Sequence, residues 1–283
     1  MKTSNKILLS FAAALILIPI LCIAFVSRVY FEPGDYTSRM GASDTYGAIP
    51  KQNVPITGSG SSESINIEGD TRIHLVIAIT PGKALEVKTT DNLKGLVSVT
   101  FDSSGQLQIK VANRTDHLEN YGRIAITAPG LKEINVNGSK GINLQADMDS
   151  LKLTLTNTEL AQFDASTKVK YLNVTTNNVK DINFSETNPI STLLNLNTTN
   201  LKTELTSFDN LAINSTGTTT IELNGGEDGN PVRSINNLKV TTMGKTDFKV
   251  LNMNIAQCSG KFSDSTSVQM PAVNINQMYK VKK

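Results

Sequence analysis

Hydrophobic and polar residues alternate along much of this chain with the period of two that is typical of half-buried β-strands. Between residues 63 and 128 turn signals such as Pro81-Gly82 and Ser104-Gly105 separate the alternating runs. The apolar members of these runs are Ile65, Ile67, Leu75, Ile77, Ile79, Leu85, Val87, Val97, Val99, Phe101, Leu107, Ile109, Val111, Ile124 and Ile126. We therefore predict an array of antiparallel strands over 63–128.

Beyond residue 129 the alternation becomes an imperfect repeat of roughly twenty residues. The repeating unit starts with two apolar residues that lie two positions apart, and Asn, Thr and Gly separate it from later apolar positions. The pairs are Ile134/Val136, Leu153/Leu155, Leu172/Val174, Leu194/Leu196, Leu211/Ile213 and Leu238/Val240. One repeat buries too few aliphatic side chains to offset its own backbone entropy, so we expect the repeats to stack on one another.

The two patterns together predict an all-β head domain over 63–283. We expect a right-handed β-solenoid, similar to a β-helix, over 129–283, with the antiparallel strand array over 63–128 at its N-terminal end. A leucine-rich horseshoe is the alternative, but that fold would show a more regular leucine consensus.

A hydrophobic segment from Ile7 to Val26 precedes this domain and contains no charged residue. As a helix it would span about 30 Å, the thickness of a bilayer's hydrocarbon core. We predict a transmembrane signal-anchor within residues 1–28 and a linker over 29–62, which is rich in Gly, Pro and Ser. A cleaved signal peptide and a lipoprotein are the alternatives. Bulky residues occupy the expected cleavage region, and Leu21 precedes Cys22 where a lipidation site needs a small residue.

The charges around this segment predict its orientation. Lys2 and Lys6 precede it, whereas Glu32 and Asp35 dilute the basic residues that follow it. By the positive-inside rule the N-terminus is cytoplasmic. We therefore expect a single-pass protein of a bacterial inner membrane with its head domain in the periplasm, or a secreted or outer-envelope protein if the segment is cleaved.

Composition supports the β assignment and excludes one class of partner. The chain contains 28 Asn and 31 Thr but only 18% charged residues, a mixture that suits strands and tight turns. The net charge of +2 comes from Lys2, Lys6 and Arg28 beside the hydrophobic segment. The remainder is nearly neutral, so no basic surface for nucleic acid is expected.

The residues that usually carry catalysis or bind metals are sparse. His74 lies on a predicted strand, His117 lies in a loop, and Cys258 is the only cysteine beyond Cys22. The acidic residues of the repeats occupy differing positions, and there is no Trp to stack on a sugar. We predict no enzyme activity and no cofactor or metal; a carbohydrate-active β-helix enzyme is the alternative. The loop 224–230 offers oxygen ligands for calcium, although a plain surface insertion is favoured.

One stretch carries a family resemblance. From Ile124 to Ser139 a strand, a Pro-Gly-Leu step, a second strand and a Gly-Ser turn follow one another in the sequence IAITAPGLKEINVNGS. This resembles the head domain of autotransporter adhesins known as the GIN domain, from about Glu63 to the mid-200s. The resemblance implies a β-helical envelope domain of Bacteroidota-type bacteria without catalytic residues. The repeats depart from the family pattern, because Thr-Asn runs replace many Gly turns.

These observations favour a membrane-anchored, extracytoplasmic binding or adhesin-like domain that presents a polar face of its solenoid. The residues predicted for that face are Asn177, Thr198, Asn200, Thr216 and Thr242. Envelope polysaccharide or another surface protein is the expected partner. The alternative is a structural scaffold that assembles by stacking of solenoid ends, and the sequence does not determine the oligomeric state.

Overall fold

The computed structural model of the chain describes residues 49–112, 121–226 and 232–279, which belong to one compact unit that begins at Ala48. The predicted anchor Ile7–Val26 lies outside the described residues. Within the described ranges, no helix combines the length and the apolarity that are needed to cross a membrane.

Strands dominate the described chain. In chain order the elements are β1 (Gln52–Asn53), β2 (Ile56–Thr57), β3 (Ser61–Glu68), β4 (His74–Pro81), β5 (Glu86–Thr89), the 3₁₀ helix η1 (Asp91–Leu93), β6 (Val97–Phe101), β7 (Gln106–Val111), β8 (Tyr121–Ala128), β9 (Glu133–Ser185), β10 (Ser191–Asn197), β11 (Asn200–Glu204), β12 (Phe208–Thr216), β13 (Thr219–Asn224), β14 (Arg233–Met243), β15 (Thr246–Leu251), β16 (Met253–Lys261), β17 (Thr266–Gln269) and the helix α1 (Ala272–Tyr279).

Beyond β9 the chain winds into coils of two strands each. β10, β12, β14 and β16 form a first parallel ladder, and β11, β13, β15 and β17 form a second one. Both ladders continue from segments of β9. Between its two strands a coil turns at a residue with positive φ, such as Asn178, Thr198 or Gly217. The all-β class is confirmed, with the strands joined in one large sheet; the right-handed winding stays a prediction.

The register corrects one of the predicted apolar pairs. Leu194 lies beside Val174 and Ile213, so it occupies the second apolar position of its coil. Thr192 takes the first position and is only 1% exposed. A buried threonine interrupts a pattern of apolar pairs, so the pairs are 22 residues apart from Leu172 to Leu194 and 17 from Leu194 to Leu211, whereas the register through Thr192 gives 20 and 19.

The N-terminal strands form a mixed arrangement, and the prediction that this array is antiparallel was wrong in part. β3 pairs in parallel with β7 and β9, and β4 pairs in parallel with β8 and β9, so β3 and β4 extend the two ladders. Antiparallel pairs join β5 to β8 and β6 to β7 at the far end. Alternation predicts strands but carries no information on their direction.

Ordered β structure also starts within the range 29–62 that was assigned to the linker. β1 pairs with β5 and β2 pairs with β6, although each has only two residues. Strands this short show no periodicity of their own. Pairing with strands that are distant in sequence determines where they form.

Aliphatic side chains from both ladders fill the interior, together with a small aromatic cluster. The rings of Phe163 and Phe184 stack with centroids 4.5 Å apart, and Phe208 meets Phe184 edge-on at 6.0 Å. Buried hydroxyls line the turn between the ladders, where Thr219 Oγ1 lies 2.7 Å from Ser215 Oγ and 3.1 Å from Thr246 Oγ1. Each of these hydroxyls thus has a partner, as a buried polar group requires.

The C-terminal end of the first ladder is covered by α1, where the prediction of further coils up to residue 283 was wrong. Gln277 Oε1 accepts a hydrogen bond from the Cys258 N–H at 2.9 Å, and its Nε2 donates to the Ala256 carbonyl at 3.1 Å. Asn274 Nδ2 donates to the Ile255 carbonyl at 2.9 Å. These amide side chains pair with the edge of β16 as a further strand would.

Candidate binding face

Three consecutive coils of the first ladder carry a run of outward residues without any ionisable acid or base other than one tyrosine; the exposed Lys170 and Asp209 border this run. In each coil the apolar residues point inward, so the residues between them point outward. We call this surface the neutral face; it consists of Tyr171, Asn173, Thr175, Ser191, Leu193, Asn195, Asn210, Ala212 and Asn214. Glu133 and Lys152 lie on the preceding coils, and Lys239 lies on the following one.

Amide side chains hold the middle of the neutral face in register. Asn214 Nδ2 donates to Asn195 Oδ1 at 2.9 Å, and Asn195 Nδ2 lies 3.5 Å from Thr175 Oγ1. Stacked coils place like residues side by side at strand spacing, and an amide can both donate and accept there. A row of equal charges would repel at the same spacing.

A shallow groove of about 380 Å³ opens at the edge of the neutral face. Its lining includes Tyr171, Asn173, Leu193 and Lys152. Tyr171 is 52% exposed. The Asn173 Oδ1 atom accepts no hydrogen bond from the described residues although it is buried.

The residues that the sequence predicted for a binding face lie elsewhere, around the turn between the two strands of each coil. Asn177 and Thr198 are exposed there, and Asn200 opens the second strand. The structure uses several of these groups internally: Asn200 Nδ2 donates to Asp181 Oδ1 at 3.0 Å, and Thr216 Oγ1 lies 3.3 Å from the Leu196 carbonyl oxygen.

Thr242 is a correction to that prediction, because it is only 3% exposed. Its register partner is Ser215, which is also buried. Thr242 Oγ1 accepts a hydrogen bond from the Ser263 N–H at 2.9 Å and lies 2.7 Å from Thr266 Oγ1. It faces the inside of its coil and therefore cannot contact a ligand at the surface.

Sequence reasoning missed Tyr171, Asn173 and Leu193. The available signal was parity: Leu172 and Val174 are core residues, so their neighbours must face outward. An outward tyrosine and an outward leucine in adjacent coils then form an apolar spot on a polar surface.

The outward surface of the second ladder differs in charge. We call it the charged face; it consists of Gln162, Asp164, Asp181, Asn183, Asn200, Lys202, Glu204, Thr220, Glu222, Asp247 and Lys249, together with Asn143, which is only 5% exposed. Several of its acids are paired with amides or cations, as in Asn143 Nδ2 to Asp164 Oδ2 at 2.8 Å and Lys249 Nζ to Asp247 Oδ2 at 2.8 Å. Across the described ranges, no three His, Cys, Asp or Glu side chains gather as metal ligands would.

Asp164 remains a carboxylate despite its partial burial. Burial raises its pKa, but hydrogen bonds from Asn143 and Ser166 outweigh that effect, so the pKa is below its ordinary value. An acid with a lowered pKa is a poor proton donor at neutral pH, which does not suit the general-acid role in glycoside cleavage.

His74 lies beside the charged face and is half-buried. Its ring stacks on Tyr121 with centroids 5.0 Å apart. Burial lowers the pKa of His74, the nearby Lys140 lowers it further, and Glu159 opposes both. Its imidazole therefore favours the neutral form, which suits a packing role.

Two other candidates fall mostly or wholly outside the described chain. His117 lies there, as do residues 227–230 of the loop considered for calcium. In the described part of that loop, Asn224 Oδ1 accepts from the Gly226 N–H at 2.9 Å, so this oxygen already has a partner within the loop.

Cys258 is buried and unpaired among the described residues. Burial raises the pKa of its thiol to about 11. The reactive thiolate is therefore scarce at neutral pH, and Cys258 acts as a small core residue.

Comparisons with known proteins agree with the family resemblance. The family described as "Putative auto-transporter adhesin, head GIN domain" matches residues 53–228. Among curated proteins, none matches this sequence.

Three solved structures are similar over most of their length. A putative adhesin from Bacteroides fragilis shares 15% identity over 72% of this chain and 86% of its own, with a TM-score of 0.44. A putative lipid binding protein from Parabacteroides distasonis shares 14% identity over 75% and 93%, with a TM-score of 0.37. A putative adhesin from Parabacteroides merdae shares 14% identity over 77% and 94%, with a TM-score of 0.33. These values do not extend the likeness to function.

Proposed function

Since this chain belongs to the auto-transporter adhesin head GIN domain family, we propose that it is a non-enzymatic, adhesin-like binding domain of the bacterial envelope. The neutral face is the observation that carries the proposal. It is a continuous surface of amides, hydroxyls and a few apolar groups, positioned by hydrogen bonds between coils. Such a surface suits recognition of uncharged polar partners and offers little for acid–base chemistry.

Binding is tested directly with the purified full chain. We expect saturable binding to at least one ligand on a glycan array or on a panel of immobilised surface proteins. Absence of saturable binding on both would contradict the proposal.

The membrane attachment through Ile7–Val26 is part of the same proposal. The uncharged segment is long enough for one span, and Lys2 and Lys6 favour a periplasmic head domain. Alkaline carbonate extraction of membranes from expressing cells should leave the full chain in the pellet. Release of the full chain into the supernatant would contradict a membrane-spanning anchor.

A stacking scaffold is the second candidate, and α1 counts against it. Gln277 and Asn274 satisfy backbone groups at the edge of β16 that a second copy would need for pairing. Light scattering of the full chain with Ile7–Val26 held in detergent should therefore show one copy per micelle at increasing concentration. Growing linear assemblies would favour the scaffold.

A further inference from the structure

We propose that the groove beside Tyr171 binds a neutral oligosaccharide, with Tyr171 as the surface on which a sugar ring stacks. This inference rests on the proposed binding function and adds the location of the site and the class of its ligand. It differs from the sequence prediction, which placed the binding residues around the turns of the coils.

Tyr171 is the first part of the argument. It is 52% exposed in the first ladder, where its coil neighbours in register are polar, such as Ser191. An aromatic ring presents a large apolar area with little conformational entropy, and the phenol adds a polar tip. The C–H face of a pyranose ring is apolar and of similar size, whereas its edges carry hydroxyls.

Asn173 is the second part. Its Oδ1 atom is buried and accepts no hydrogen bond within the described chain, a situation that is costly and uncommon in folded proteins. The residue belongs to the lining of the groove, together with Tyr171 and Leu193. The atom is covered in the unliganded chain, so a hydroxyl group in the groove would supply the missing donor once the Asn173 side chain rotates toward it.

The charges around the groove indicate that the ligand is neutral. Two lysines border it, but each is ion-paired: Lys152 Nζ lies 3.1 Å from Glu133 Oε1, and Lys132 Nζ lies 2.8 Å from Glu63 Oε2. The exposed Lys170 beside Tyr171 is ion-paired as well, since its Nζ lies 2.7 Å from Asp149 Oδ1. An acidic polysaccharide would meet no free cation here, and a hydrophobic peptide would leave the amides beside it without partners.

The test is affinity electrophoresis of the full chain in detergent-containing native gels. Separate gels contain dextran, mannan, laminarin or soluble starch as neutral probes, and alginate as the acidic probe. The variants are Tyr171→Ala and Tyr171→Phe. The matched control is Tyr279→Ala, because Tyr279 is 69% exposed but lies on α1.

We expect at least one neutral polysaccharide to retard the wild-type chain. Tyr171→Ala should weaken that retardation by about tenfold or more in Kd, as truncation of a central aromatic anchor does. Tyr171→Phe and Tyr279→Ala should stay within about twofold of the wild type.

Three results would overturn the site. Wild-type mobility that no neutral gel changes would exclude this ligand class, while binding on the protein panel would leave the wider binding function standing. Equal retardation of Tyr171→Ala and wild type would place the sugar elsewhere on the surface. Retardation by alginate alone would assign binding to charge rather than to stacking.

Discussion

The neutral face covers three coils and the charged face extends over these and neighbouring coils, and the two faces differ in how their polar side chains pair. On the charged face, amides or cations lie between acids of successive coils, as where Asn200 donates a hydrogen bond to Asp181. On the neutral face, Asn195 accepts from Asn214 and no charge needs a partner. Each face keeps one buried amide oxygen without a partner among the described residues, Asn143 Oδ1 on the charged face and Asn173 Oδ1 on the neutral face. The neutral face also exposes the ring of Tyr171 beside that oxygen.

The largest loss in the free energy of unfolding is expected from substitutions in the aromatic cluster of the core, on which both faces depend. Phe184 is 1% exposed and contacts the rings of Phe163 and Phe208. Phe184→Ala should lower the free energy of unfolding by about 3–5 kcal/mol because it removes buried surface and leaves a cavity. Urea unfolding measures this loss. Phe262→Ala is the matched control, since Phe262 is only partly buried; equal losses would contradict the role given to the cluster.

A smaller change in the free energy of unfolding is expected when a single hydrogen bond is removed, and its size should differ between the two faces. Asn143→Ala removes a hydrogen bond to the Asp164 carboxylate on the charged face, and such bonds contribute about 1.5–3 kcal/mol. Asn214→Ala removes a bond between neutral groups on the neutral face, with an expected cost of about 0.5–1.5 kcal/mol. Urea unfolding at pH 7 compares them. A larger loss for Asn214→Ala would show that the amide row, rather than the paired acids, stabilises the coils.

The two faces should also differ in their response to pH. Asp164 has a lower pKa in the folded chain than in the unfolded chain. Its contribution is therefore complete above the unfolded pKa and is lost as pH falls through the folded pKa, in the range below about 4. Asp164→Asn should reduce the acid dependence of the unfolding free energy in that range. An unchanged acid dependence would contradict the assignment.

His74 should also make the free energy of unfolding fall as the pH drops, but in a higher pH range than Asp164. Its folded pKa is below 6.5, so the unfolded chain takes up the proton first and stability falls as pH drops below that value. His74→Phe keeps a ring against Tyr121 and removes the titration. Its unfolding free energy should change less between neutral pH and about pH 5 than that of the wild type. Asn214→Ala, on the neutral face, should follow the wild-type profile in both ranges.

Much of the fold could be predicted from the sequence because one physical signal, alternation with a period of two, repeats along the chain. That signal identified the core pairs Leu172/Val174 and Leu211/Ile213, which lie on either side of β10 in the first ladder, with Leu194 between Val174 and Ile213. The alternation of apolar and polar residues did not identify Thr192 as a core position, because this buried residue is polar. The alternation also could not predict the strand directions at the N-terminal end or the helix α1. Both are determined by contacts between distant segments.

The candidate site was harder to predict because the abundance of Asn and Thr indicates residues that lie outside it. Asn and Thr are abundant around the turns, where positive φ and coil-to-coil hydrogen bonds account for residues such as Asn178 and Thr198. Thr242 has the same residue type but faces inward. Tyr171 could be recognised only through its position directly before the core residue Leu172, and its place on the surface requires the coil register.

The central claim is that ligands bind to the neutral face, and one paired comparison tests it most directly. Ala212→Glu adds a charge to the neutral face, and Gln162→Glu adds the same charge to the charged face; both positions are half-buried and point outward. The measurement is the Kd of the full chain for the neutral polysaccharide that retards it most. We predict that Ala212→Glu weakens binding by about tenfold or more while Gln162→Glu stays within about twofold of the wild type. Equal binding by both variants, or a loss only in Gln162→Glu, would contradict the account.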